Sequence, residues 1–223
     1  MAQAHPRRLD GPGKHPAGSV QVVGHPLAQA MLCSLRDRST APPLFRLLAK
    51  RLTLALCLEA TKDVPTAPVT VETPLTSALG ARLATPLVAV PILRAGLGML
   101  EAVTDLFPEV TVGYIGLERD HATFEPSLYY SKLPPLEGRS ILLLDPMLAT
   151  GGSATAACNE LVRKGAERIT LLSVVSTPDG IEKLTSAHPY VRVVTAAIDQ
   201  GLDANAYILP GLGDFGDRLF GTL

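Results

Sequence analysis

The chain is poor in charge and poor in cysteine. Acidic and basic residues make up 18% of the 223 residues and nearly cancel, leaving a formal net charge of −1. That balance argues against nucleic-acid binding by bulk electrostatics, while leaving room for a local basic pocket around a small polyanion. So low a charged fraction also points to apolar surface covered by another subunit. The three cysteines, Cys33, Cys57 and Cys158, form no C-x-x-C pair and leave an odd count. They argue against a disulfide framework or a zinc site and predict buried thiols in a reducing cytoplasm. No apolar run approaches the roughly 18 residues that span a bilayer. Residues 1–18 set Pro6, Pro12 and Pro16 among Gly11, Gly13 and Gly18. They lack the apolar core of a secretory leader and are expected to form a disordered tail ahead of a single domain over 19–223.

What the chain has is a core. Hydrophobic residues are 47%, enough for one large domain. Helical spacing of apolar residues predicts helices over Leu27–Arg36 and Leu44–Ala60. Thr66–Thr73 alternates and reads as an edge strand. Val88–Ile92, Val110–Leu117, Ile141–Leu144, Ile169–Val175 and Val191–Ala196 read as strands, with helices at Gly98–Leu106, Ala154–Lys164 and Gly180–His188. Strands alternating with helices predict an α/β fold around a mostly parallel sheet with right-handed crossovers. Glu118–Glu137 has no clean period and ends in Pro134-Pro135, so it is expected to be a β-hairpin excursion over a site. His121 and His188 have no partner at ligand spacing and are read as surface residues.

The most informative stretch is Ile141–Ser153, ILLLDPMLATGGS. A short apolar run ends in Asp145. Thr150-Gly151-Gly152-Ser153 follow, and then a helical stretch. Strand, acid, glycine-rich loop and helix together make a layout that holds phosphate, because a helix start offers unpaired N–H groups and the positive end of its dipole. Gly151 and Gly152 let the backbone approach a phosphate oxygen and take unusual dihedrals. Thr150 and Ser153 can add hydroxyl donors. No lysine follows Gly152, so the nucleoside-triphosphate loop is absent, as is G-x-G-x-x-G. Taken alone, the loop also fits an ordinary strand-to-helix turn with glycines at its tight points.

Three further features carry a resemblance. The loop is similar to the phosphoribosyl-diphosphate signature of the type I phosphoribosyltransferases. Val90–Leu100 (VPILRAGLGML), Asp145–Ser153 (DPMLATGGS) and Tyr207–Thr222 (YILPGLGDFGDRLFGT) together resemble the uracil phosphoribosyltransferase family, in order, from His25 to the C-terminus. Many related enzymes place a second acid after the first; here Pro146 stands there, as in the uracil-specific family. The resemblance implies the type I phosphoribosyltransferase fold with a small hood, built from N-terminal segments and 201–223. It also implies the conversion of uracil and phosphoribosyl diphosphate to UMP and diphosphate. No convincing Cys/His or Ser/His/Asp set stands in the chain, which agrees with a reaction that needs no covalent nucleophile.

By that resemblance the phosphoribosyl diphosphate belongs to Asp145, Pro146, Met147, Leu148, Ala149, Thr150, Gly151, Gly152 and Ser153, with Asp145 accepting from the ribose hydroxyls. Arg94, directly after a buried strand, and Arg119, at the base of the excursion, are the expected diphosphate clamps. Around Arg119 the chain departs from the family pattern: Glu118 replaces an aromatic, and Asp120-His121-Ala122-Thr123 replaces a pair of acids. Tyr129 is read as hairpin packing, while Tyr130 and Lys132 could close over the diphosphate. Ile208, Gly213, Asp214 and Phe215 are expected to read the uracil edge through the backbone, and Asp214, Arg94 and Arg119 to serve catalysis. Mg²⁺ is the expected cofactor, brought by the diphosphate, with no protein ligand assigned. A GTP effector and a homodimer or higher homo-oligomer are possible partners. The rivals are a phosphoribosyltransferase for another base and a regulator that keeps the fold without turnover.

Overall fold

In the computed structural model, residues 18–119 and 126–222 are described. The central sheet is built from β1 (Val20–Val22), β4 (Leu87–Leu93), β6 (Tyr114–Arg119), β7 (Pro126–Lys132), β8 (Ser140–Leu144), β10 (Arg168–Ser176) and β11 (Arg192–Ile198). Short β5 (Thr111–Val112) pairs with β4 and β9 (Met147–Leu148) with β10. The order is β1-β11-β10-β8-β4-β6-β7, parallel from β1 to β6, with β7 returning antiparallel on the edge.

The continuous apolar runs are explained by a sheet covered on both faces. Along β8, Leu142 and Leu144 pack with Leu52 and Leu56 of α2 (Pro42–Thr61) and with Met99 of α3 (Leu97–Leu106). Ile141 and Leu143 point the other way, onto Ala157 and Leu161 of α4 (Gly152–Arg163) and Leu184 of α5 (Pro178–Ala187). Truncating a buried residue such as Leu143 to alanine would cost about 2–5 kcal/mol. Helix α1 (Pro26–Arg36) packs on α2 and on β11. The hood follows β11: a two-stranded ribbon, β12 (Gly201–Leu202) with β13 (Ile208–Leu209), then α6 (Phe215–Phe220) against α2.

Several expectations change. Thr66–Thr73 is not an edge of the central sheet. It forms β2 (Thr66–Glu72), which pairs with β3 (Ser77–Leu83) as a separate antiparallel ribbon. The ribbon leaves Leu75 95% and Leu79 79% exposed. The expected strand Val110–Leu117 is interrupted at Gly113, whose N–H is taken by the Ala89 carbonyl at 2.9 Å. Helix α6 escaped the sequence reading because its six residues are embedded among glycines. Cys57 and Cys158 are buried, and burial pushes each thiol up to about 12. Cys33 lies on an exposed face of α1 and corrects the expectation of a buried thiol. His188 is also no surface residue. It caps the end of α5 at 6% exposure, with Nδ1 3.1 Å from the Tyr190 hydroxyl, and burial lowers its pKa. The excursion expected over Glu118–Glu137 is a hairpin with other bounds: β6, from Tyr114, pairs with β7, which ends at Lys132. His121 and residues 1–17 of the expected tail lie outside the described residues. Among the described residues, no helix is long and apolar enough to cross a membrane.

Candidate active site

Chain order fixes where a ligand can enter. From β4 the chain moves outward to β6, then returns to the opposite side of β4 as β8. The loops leaving β4 and β8 therefore part at the carboxyl ends of neighbouring strands, the crevice in which open α/β sheets bind ligands. Arg94-Ala95-Gly96 leaves β4, and Asp145 follows β8. The two loops touch through Gly96: a Cβ there would lie 2.3 Å from the Leu144 carbonyl oxygen, so only glycine permits the approach.

The glycine-rich loop is pinned from below. Ser173 Oγ accepts from the Leu148 N–H at 3.2 Å. Thr177 Oγ1 donates to the Ala149 carbonyl at 2.6 Å and accepts from the Gly180 N–H at 2.9 Å. Both hydroxyl residues are fully buried. Gly151, the N-cap of α4, sits at φ +76°, and a Cβ on it would come within 2.6 Å of the Gly180 carbonyl oxygen. Gly151 has no side chain with which to cap α4, and a helix start of this kind can receive an anion. Thr150 Oγ1 takes a long bond, 3.4 Å, from the Gly152 N–H. Gly152 itself does not show the expected unusual dihedral. A Cβ there would meet Thr150 Oγ1 at 3.6 Å and the Pro126 ring at 3.7 Å, ordinary contacts. A recess of about 20 Å³ lined by Asp145 and Met147 to Ala154 marks the loop mouth. Within this run Pro146 and Leu148 are buried; Pro146 offers its carbonyl to the Val174 N–H at 2.9 Å.

A larger cleft of about 390 Å³ joins this loop to the hood, with Asp145, Ala149 and Ser153 on one wall and Ile208, Gly213, Asp214 and Phe215 on the other. Phe215 is buried edge-on against Phe45, ring centres 5.1 Å apart. Asp214 Oδ1 accepts the Asp217 N–H at 2.8 Å and caps α6. The carboxylate thus has a structural task besides lining the cleft. Ala95, Asn205, Ala206, Tyr207 and Gly216 also line it and were missed by the sequence reading. Asn205 and Tyr207 are placed by Asp203, whose Oδ1 accepts both of their N–H groups at 2.8 Å. The D-x-N-x spelling was the readable signal for that turn.

Of the expected arginines, Arg94 does not line the cleft. Arg94 is exposed, its Nη2 3.7 Å from Asp217 Oδ1. Arg119 ends β6, and its side chain lies outside what is described. Tyr129 lays its ring across Gly116 on the paired strand, where a Cβ would meet it at 2.5 Å. Tyr130 and Lys132 stand exposed on β7. The excursion is tied to α4 by the buried Glu160, whose Oε1 accepts from Ser131 Oγ at 2.8 Å. Among the described residues, no group of three or more histidine, cysteine or acidic side chains could hold a metal ion.

A phosphate-holding loop at the switch point of a parallel sheet, faced by a C-terminal hood, is the design of the type I phosphoribosyltransferases. Comparison with known proteins narrows the class. Residues 22–222 match the family model described as Uracil phosphoribosyltransferase. The chain is 48% identical over 205 residues to the uracil phosphoribosyltransferase of Symbiobacterium thermophilum, covering 91% of this chain and 98% of that one. It is 50% identical over 205 residues to that of Dictyoglomus turgidum, covering 91% and 99%. A solved protein structure from Aquifex aeolicus superposes with a TM-score of 0.86 at 34% identity, covering 90% of this chain and 97% of that one. The chain belongs to the uracil phosphoribosyltransferase family.

Proposed function

We propose that this chain is the pyrimidine-salvage enzyme that transfers the phosphoribosyl group of phosphoribosyl diphosphate to N1 of uracil, giving UMP and diphosphate. The observation that carries the reading is the single cleft that joins the phosphate loop to the backbone segment around Ile208 and Gly213–Phe215. The 5′-phosphate sits on the N–H groups that open α4, and Asp145 accepts from the ribose hydroxyls. As the N1–C1 bond forms, the bond from C1 to the diphosphate oxygen breaks. The leaving group keeps the electron pair, and the N1 proton ends on the departing diphosphate or in solvent. Charge gathers on the diphosphate, so fixed donors and exclusion of water lower the barrier. Arg94, from the loop after β4, and Arg119, from the hairpin, supply donors to that group. Magnesium carried by the diphosphate as part of the substrate would add positive charge there. Asp214, on the cleft wall, would face the sugar or that metal.

Uracil presents acceptor, donor and acceptor along O2, N3–H and O4, which backbone N–H, C=O and N–H groups can match. Cytosine reverses two of these, a discrimination of roughly 10⁴-fold or more in a dry site. The test is steady-state turnover of uracil, cytosine, orotate and hypoxanthine with phosphoribosyl diphosphate and Mg²⁺, with and without GTP as effector. Uracil alone should turn over; comparable rates with cytosine would remove the base-reading segment from the account. A homo-oligomer, supported by the exposed leucines of the β2–β3 ribbon, and a cytoplasmic location complete the reading.

A further inference from the structure

Behind the hood, away from the cleft, lies a closed ring of charge and backbone. Asp199 is the first residue after β11, its side chain only 4% exposed. Its main-chain N–H is fixed to the Ser176 carbonyl at 2.8 Å, so the carboxylate hangs from the sheet itself. Arg36, in the last turn of α1, grips it with both arms, Nη2 to Oδ1 at 2.6 Å and Nη1 to Oδ2 at 2.8 Å. The same two groups then close on one peptide unit each side of Gly211: Asp199 Oδ2 accepts the Gly211 N–H at 3.0 Å, and Arg36 Nη1 donates to the Gly211 carbonyl at 2.7 Å. A second guanidinium takes the next residue. Arg218 donates to the Leu212 carbonyl at 2.7 Å and to the Asp37 carbonyl at 2.6 Å, with its plane 4.5 Å over the Phe45 ring.

Gly211 and Leu212 fall inside the segment that would read the base. The Gly211 N–H, the Gly211 carbonyl and the Leu212 carbonyl are taken by Asp199, Arg36 and Arg218, and the neighbouring residues from Gly213 onward line the cleft. We propose that Arg36 and Asp199 are positioning residues for base recognition, an ion pair between a buried carboxylate and a half-buried guanidinium that sets where the Gly211–Gly213 backbone stands. The inference rests on the reading of Ile208–Phe215 as the uracil-contacting segment. Neither side chain lines the cleft, so the role assigned to the pair is exerted through the Gly211 backbone. A buried ion pair adds little stability over well-packed apolar residues of the same volume. A fork that fixes one group on each of the two peptide units flanking Gly211 does constrain geometry, and recognition is sensitive to displacements of an ångström or less.

The experiment is steady-state kinetics on the full chain with both substrates varied, for the parent, Asp199→Asn and Arg36→Lys. Asparagine keeps the shape but turns an amide donor toward a guanidinium. Lysine keeps the charge but cannot span both carboxylate oxygens. KM for uracil should rise about 10–100-fold in Asp199→Asn and less in Arg36→Lys, with KM for phosphoribosyl diphosphate held within about threefold. The ratio of uracil to cytosine kcat/KM should fall at least about tenfold. A melting curve accompanies each variant; if Asp199→Asn does not fold, the same pattern is required of Arg36→Lys. An unchanged uracil KM and base ratio, or KM values that move together for both substrates, would overturn the positioning role while leaving the enzyme's activity intact. A parent that does not turn over uracil would instead overturn the proposed function, and with it this inference.

Discussion

Two adjacent glycines of the phosphate loop make opposite predictions, and the contrast tests where the phosphate sits. At Gly151 an alanine must hold a left-handed φ of +76°, at about 1–2 kcal/mol. Its methyl group would also stand 2.6 Å from the Gly180 carbonyl oxygen. That oxygen is backbone at the start of α5 and cannot step aside cheaply, so about 1–3 kcal/mol more is lost. The sum, about 2–5 kcal/mol, should lower Tm by about 4–20 °C in a chain of this size. At Gly152 an alanine meets nothing nearer than 3.6 Å and needs no unusual dihedral. Its Tm should stay within a few degrees of the parent's. It nonetheless adds a methyl group at the first residue of α4, where a phosphate must approach the N–H groups closely. Losing one charge-assisted hydrogen bond, about 1.5–3 kcal/mol, weakens phosphoribosyl diphosphate about 10–100-fold. Calorimetric titration beside a melting curve reads both quantities. Gly152→Ala with parental affinity would place the phosphate elsewhere, and Gly151→Ala with a parental Tm would refute the strain assigned to that residue.

Asp214→Asn should keep the α6 cap, because an amide oxygen can accept the Asp217 N–H as the carboxylate does at 2.8 Å. If the charge serves the reaction, kcat falls about 10²–10³-fold while Tm hardly moves; a kcat within a few-fold of the parent would leave Asp214 as a cap alone. The pKa of His188 is lowered by burial, so the unfolded chain binds the proton more readily than the folded one. Stability should therefore fall as pH drops through the ordinary histidine value of about 6.5, and level off below the folded pKa. Melting curves from pH 5 to 8 should show this slope in the parent and a flatter one in His188→Asn; equal slopes would assign the effect to other groups.

The legible parts were those written in one stretch. Strand, acid and glycine loop follow one another within Ile141–Ser153, and the switch-point crevice needed only the order of strands to appear. β1 was not legible because its three residues carry no period and two of them are exposed. β3 was hidden because the exposed Leu79 and Leu83 blur its alternation. His188 looked like a surface histidine because its partner, Tyr190, is two residues on and meaningful only once the end of α5 turns it inward. The ion pair from Arg36 to Asp199 spans 163 residues, and no local pattern announces such a contact. The same holds for Arg94, whose place after a strand was readable but whose turn toward Asp217 was not.

Strand β8 has apolar side chains on both faces, and this has a consequence for how the chain finds its alignment. In a half-buried strand, sliding by one residue exposes the apolar set to water, so hydrophobicity itself enforces register. Here a slide exchanges leucine and isoleucine for leucine and costs almost nothing by that measure. Alignment must then be specified at the ends of the strand. The Gly96 approach to the Leu144 carbonyl and the Asp145 N–H bond to the Leu172 carbonyl, 3.2 Å, work at one end only in a single register. The loop residues that the ligand would meet are thus also the stops against which the core strands are set. A bulky substitution at Gly96 would therefore misalign apolar strands that it never touches, an error of addressing in which no core residue has changed.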